Sequence, residues 1–339
     1  MNIIPNNLKY LIQSSYQHNI IYEDAYCVDI SDLLSLSVDD RLLHLNYFKK
    51  EYKILVILFW EEFFYDSNID DIINYSLKID LPLFIFSKNP VLDKFLKITY
   101  NSDKLFSISP DMLFLNTDDL AYYTNSKIKN IKLLFLNYNR KVNRDYIICK
   151  LKEKNELFNN ENYISFHNDD SRSKEYNLLH NDYNIENNID TEYLKNLKIT
   201  PIDSFDLNDQ YTAQRDSFDL YYRSKFNIIC EPFFGYSKDK NSFNYYNHLI
   251  TKKTILPLLF KNVFFIHEYN SLLSECLKKI GFEMFFDSVD DFFNNLNDNY
   301  FNLKSTQDKL VKNQKLAEKL IKNEKVNFSE FLKKIINEL

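Results

Sequence analysis

Glycine is almost missing from this chain of 339 residues: only Gly235 and Gly281 occur, far apart. Phosphate cradles of the GxGxxG or P-loop kind need glycines a few residues apart, so neither can exist here. Any phosphate must be held by basic side chains and by amides at helix starts. Cysteine is scarce as well. Cys27, Cys149, Cys230 and Cys276 form no CxxC pair and have no histidine at metal spacing, so they read as buried free thiols. No apolar run approaches the ~20 residues of a membrane helix, the longest being ILVILFW from Ile54 to Trp60. The start, MNIIPNNLKYLIQSS, lacks the basic, apolar and small-residue regions of a signal peptide, so a reducing, cytoplasmic setting is expected. Positive charge is not in excess either. A formal net charge of −6 and a pI near 5.6 argue against a surface built for nucleic acid.

Apolar residues, by contrast, make up 45% of the chain, enough to bury the cores of one large or two medium domains. The surplus of Asn, Lys, Ile, Tyr and Phe resembles the coding bias of an AT-rich genome, so periodicity says more than composition. The first 50 residues give short helical patterns between polar joints, with Leu33, Leu34, Leu36, Leu42, Leu43 and Leu45 at mixed helical spacing. KILVILFW is then a continuous apolar run, as expected of a parallel strand covered on both faces. SNIDDIINYSLKI has helical period, with Asp66 or Ser67 as its cap, and LPLFIFS (Leu81 to Ser87) is a second strand, which makes a βαβ unit. KLFSIS (Lys104 to Ser109), followed by PDMLFLN, completes a small first sheet.

A second domain begins near Lys129. IKLLFLN (Ile131 to Asn137) is a buried strand, and YNRKVNRDYIICKLKEKNEL turns to helical period through Val142, Tyr146 and Cys149. Arg140 and Arg144 stand one helical turn apart at that junction, where guanidinium forks suit phosphate oxygens. The plainer alternative is two exposed arginines opening an amphipathic helix. Residues from Asn155 to about Asp219 form an Asn- and Asp-rich stretch with YISF as its one strand. His167, Asp169 and Asp170 within it lack a fourth ligand at a recognisable distance, so no metal is expected. Asp219 to Phe286 then reads helix, strand (Phe226 to Cys230), Glu231, loop, helix, strand (Val263 to Ile266), helix. That order is the second half of a doubly wound domain, in which ligands bind outside the carboxyl ends of the strands. From Ser305 the tail is helical, and Asn327 with Glu330 marks a capping box for a last short helix.

The segments NIICE, HLITKKTILPLLFKNVFFI and LKKIGFEMF, with LFLNYNRKVNRDYIICKL upstream, resemble the carboxyl-terminal half of GT-B glycosyltransferases. The fucosyltransferase-like proteins of bacteria and large viruses are the nearest likeness, over Ile131 to Leu151 and Tyr222 to Phe286. The resemblance implies an α/β fold of two Rossmann-like domains facing each other across a cleft. Residues 1–128 would hold the acceptor, 129–304 the nucleotide sugar, and 305–339 would be C-terminal helices. It implies metal-independent transfer of a sugar from a nucleotide-sugar donor to a glycan or other hydroxyl acceptor, with no cofactor beyond the co-substrate. Where the family has Thr-Glu-Lys this chain has Thr251, Lys252 and Lys253. Thr251 and Lys253 match, whereas Lys252 replaces an acid that helps hold the donor. A catalytically inactive GT-B-like binding or structural protein therefore stays open, as does a nucleotide-binding protein of another chemistry.

Glycosyl transfer sets its own demands. Negative charge develops on the leaving diphosphate and positive charge on the sugar ring, so the site needs cations at one and a carboxylate near the other. Arg140, Arg144, Arg223, Lys225 and Lys253 are the candidate cations and Glu231 the donor-side carboxylate, with no Asp-x-Asp in a strand context to hold a metal. Glu61, Glu62 and Asp66 follow the first strand, where one of them could take the acceptor hydroxyl's proton. The alternatives are structural: those three acids favour the dipole of the next helix, and Glu231 is a carboxylate fixed before Pro232.

Overall fold

Strands and helices alternate along the chain in the computed structural model, which describes residues 25–52, 54–58, 67–86, 96, 97, 99–108, 129–136, 142–165, 189–197, 218–230, 252–267 and 272–337. The first elements are β1 (Ala25–Asp29), α1 (Ile30–Leu34), α2 (Val38–Glu51), β2 (Ile54–Leu58), α3 (Ser67–Lys78), β3 (Leu83–Phe86) and β4 (Leu105–Ile108). There follow β5 (Ile131–Leu136), α4 (Val142–Glu153), β6 (Asn162–Ser165), α5 (Thr191–Asn196), β7 (Ser224–Ile229), α6 (Lys252–Leu259) and β8 (Val263–Ile266). The chain closes with α7 (Leu272–Ile280), α8 (Val289–Asn294), α9 (Asp298–Asn302) and α10 (Lys304–Asn337). The fold is α/β with two parallel sheets. The chain divides into two compact units, one of Met1–Thr117, Phe233–Thr251 and Lys319–Leu339, the other of Asp118–Pro232 and Lys252–Glu318.

In the first unit the sheet runs β1-β2-β3-β4, each strand adding beside the last. Right-handed crossovers that always step the same way lay their helices on one face. Alternate residues Leu55, Ile57, Leu83, Ile85 and Leu105 accordingly share a core with Leu45 and Phe48 of α2 and Ile69, Ile72 and Ile73 of α3. The intervening Ile54, Val56, Phe84 and Phe106 are buried too, and the Phe84 and Phe106 rings stack at 5.6 Å. Burial of both faces is why KILVILFW is continuously apolar rather than alternating. Arg41 is also buried, donating from Nε to Leu33 O (3.0 Å) and from Nη2 to Leu36 O (3.2 Å). It satisfies carbonyls left open at the end of α1.

Two expectations need correction. Ala25–Asp29 is a strand, registered with β2 from Ala25 and Ile54 to Asp29 and Leu58, where sequence pattern gave only helices. Five residues carry too little periodicity to declare themselves, and the ladder with β2 decides their state. The helix α10 runs unbroken through Asn327, so the capping box there starts no new helix. A helix that is already propagating needs no further nucleus.

In the second unit the sheet runs β6-β5-β7-β8, all parallel. Phe292 of α8 stacks on Phe265 of β8 at 5.5 Å, and Phe226 of β7 meets Phe292 and Phe301 at 6.3 and 6.1 Å. The helix α10 is tied to the segment after α7 by Asn313. Its Nδ2 donates to Glu283 O (2.8 Å) and its Oδ1 accepts from Glu283 N (2.9 Å).

Candidate functional site

Strand order singles out one place in the second sheet. In chain order the strands lie 2-1-3-4, so the chain steps one way from β5 to β6 and the other way to β7. In parallel sheets with such a reversal the ligand crevice lies outside the carboxyl ends of the two strands that flank it, here β5 and β7. The first sheet has no such reversal among the described strands.

Arg144 in the first turn of α4 lies at this crevice. Its guanidinium is buried and donates from Nη2 to Cys230 O (3.4 Å), the carbonyl just past β7. Asp145 beside it is fully buried. Tyr146 completes the turn, its ring stacked on His267 at 4.8 Å and 16°. His267 is the first residue after β8, and its backbone N–H donates to Ile229 O (2.9 Å). The carboxyl ends of β7 and β8 and the start of α4 therefore carry Arg144, Asp145, Tyr146, Cys230 and His267.

Burial sets the charge state of this edge. It pushes the His267 pKa down to about 4, so the imidazole is neutral at pH 7. It raises the Tyr146 phenol and the Cys149 thiol, which keeps both protonated and Cys149 a poor nucleophile. Cys230 is buried and forms no disulfide among the described residues. Arg144 is then a cation at this edge, and the neutral imidazole is suited to exchange a hydrogen bond rather than to supply charge.

The structure separates the expected donor-binding residues. Arg144 is at the crevice. Lys253 is the second residue of α6 and partly buried. Because Phe260, just past α6, lies with Ser224 at the amino end of the sheet around Lys129, the start of α6 points toward the carboxyl edge. Arg223 and Lys225 flank Ser224 at the start of β7, about 23 and 16 Å along the chain from Cys230 at ~3.3 Å per residue. There Arg223 donates to Asn130 Oδ1 (2.9 Å) and Asp219 Oδ2 (3.2 Å), and Lys225 pairs with Asp298 (2.7 Å). Those contacts give both residues structural work at the amino edge. Glu61, Glu62, Asp66, Arg140, Glu231 and Thr251 lie outside the described residues, as do PDMLFLN and His167, Asp169 and Asp170. Among the described residues no group of three or more His, Cys, Asp or Glu side chains is placed to hold a metal ion, and no helix is long and apolar enough to cross a membrane.

His267, Asp145 and Tyr146 escape sequence reasoning. A signal for His267 existed: it follows an apolar strand directly, the same position that singles out Glu231. Asp145 and Tyr146 look like ordinary helix residues until α4 is docked. No protein-family model, curated protein or solved structure matches this chain.

Proposed function

We propose that the chain is a two-domain glycosyltransferase of the GT-B arrangement, transferring a sugar from a nucleotide-sugar donor to a glycan or other hydroxyl acceptor without a metal. The second unit binds the donor and the first the acceptor. The observation that carries the reading is the reversal of strand order between β5 and β7, with Arg144 at that carboxyl edge and Glu231 next in sequence after Cys230. Amide groups opening α4 and α6, with Arg144 and Lys253, supply positive potential for a diphosphate. Glu231 serves as the donor-side carboxylate, and Glu61, Glu62 or Asp66 takes the acceptor's proton.

Lys252 favours a second reading. The first turn of α6 has no acid, whereas the resembled family places one there. A relative that binds nucleotide or glycan without turnover keeps the fold and loses that carboxylate.

Calorimetry of the full chain against GDP, UDP and CMP tests both. Binding of one nucleotide, weakened in Glu231→Ala and Lys253→Ala, supports the transferase; binding without donor hydrolysis supports the non-catalytic relative. Binding of none by the folded protein removes the transferase reading.

A further inference from the structure

The amino edge of the second sheet, opposite the crevice, holds a cage of oxygens. Lys129 Nζ donates to Ser224 O (2.6 Å), Phe260 O (2.9 Å), Asn262 Oδ1 (2.9 Å) and Tyr222 O (3.2 Å). These oxygens come from the segments leading into β7 and β8, and Lys129 itself leads into β5. The cage is braced independently of the lysine: Asn262 Nδ2 donates to Ser224 Oγ (2.7 Å), which donates to Tyr221 O (3.0 Å). Asn262 and Ser224 are fully buried.

The chemistry of the cage is that of a small cation site. All four acceptors are neutral, three carbonyls and one amide, and no carboxylate pairs with Lys129 among the described residues. An ammonium has three N–H bonds, so four oxygens around it answer to a compact unit charge more than to three directed donors. Rings of backbone carbonyls are what replace the hydration shell of a potassium ion in other proteins. Burial, with the Lys261 charge, opposes the ammonium and pushes the Lys129 pKa down to about 7, so the four oxygens offset only part of its lost hydration and the charged form is held below pH 7.

We propose that this cage is a monovalent-cation site of ammonium or potassium size, and that Lys129 supplies its cation from within the chain. The tethered charge joins the starts of β5, β7 and β8 without recruiting an ion from solution. The cage is independent of the donor-binding reading.

The test is thermal unfolding of the full-length Lys129→Ala variant at pH 6, in ammonium, potassium or tetramethylammonium chloride at equal concentration. Ammonium and potassium should raise the variant's midpoint by several degrees over tetramethylammonium, which is too large to enter, and leave the wild type unchanged. Equal midpoints in all three salts overturn the proposal. If the variant unfolds in tetramethylammonium, recovery of folding in potassium or ammonium supports the site, and failure in all three overturns it. In the wild type, nitrogen-15 spectra at pH 6 should show one lysine ammonium whose protons exchange slowly, lost in Lys129→Met. Fast exchange at every lysine also overturns it.

Discussion

His267 shows how position converts an ordinary side chain into a pH-sensitive one. In the unfolded chain its pKa lies near 6.5, and in the folded chain burial lowers it to about 4. Between those values the unfolded chain takes up a proton that the folded chain refuses, so stability falls as pH drops through that window and the loss is complete below it. The difference corresponds to roughly 3 kcal/mol. The cause is the loss of water around the imidazole, which is stacked on the Tyr146 ring. A His267→Phe variant keeps the stack without the titrating group, so its urea midpoint should fall less than the wild type's between pH 7 and pH 4. Parallel pH profiles would sink the assignment. Asn227 offers a different residue-scale prediction. It is buried in β7 opposite Leu134 and Phe264, and its Nδ2 has no hydrogen-bond partner among the described residues. A buried unpaired amide costs about 1–3 kcal/mol, so Asn227→Val should raise the guanidinium midpoint; a lower midpoint would mean that the amide has a bonded water.

Among the elements, α7 has the clearest stop signal. Gly281 follows it at φ +110°, and its N–H and that of Phe282 both return to Leu277 O, at 3.1 and 3.0 Å. Such a closure needs a left-handed residue, and glycine adopts one without strain. An added Cβ would meet only Leu316 Cδ2 at 3.5 Å, so Gly281→Ala should lose about 1 kcal/mol through backbone strain alone. Chemical denaturation would read it, and an unchanged midpoint would refute the strain argument. Strands followed the opposite logic from α7. The apolar runs that became β2, β5 and β8 were legible because both faces of their sheets are covered, whereas β1 was not, since AYCVD acquires its state from β2. Arg144 was legible as a residue at a strand-to-helix turn. That its guanidinium is buried against Cys230 O depends on how α4 docks.

For the whole molecule, the order of segments matters more than their boundaries. The second unit is discontinuous in sequence, broken by Phe233–Thr251, and α10 gives its first half to that unit and its remainder to the first. Sequence pattern instead put divisions at 128/129 and 304/305 and made the tail a separate piece. Leu310, Asn313 and Ala317 of α10 are buried, and Asn313 holds both sides of the Glu283 peptide. Ending the chain after Leu303 should therefore lower the main thermal transition, or broaden it, beyond the loss of helical signal; an unchanged transition by circular dichroism would make α10 an accessory. The α/β class, most strand positions and the exclusion of any glycine-rich phosphate loop were already written in the order of residues, because these follow from local periodicity and residue type. Tertiary structure alone decided that β5 lies between β6 and β7, that Arg144, Tyr146 and His267 share one edge, and that Lys129 sits among four oxygens. Those placements depend on which strands pair and how helices dock, and contacts between residues tens of positions apart leave no periodic trace in the chain.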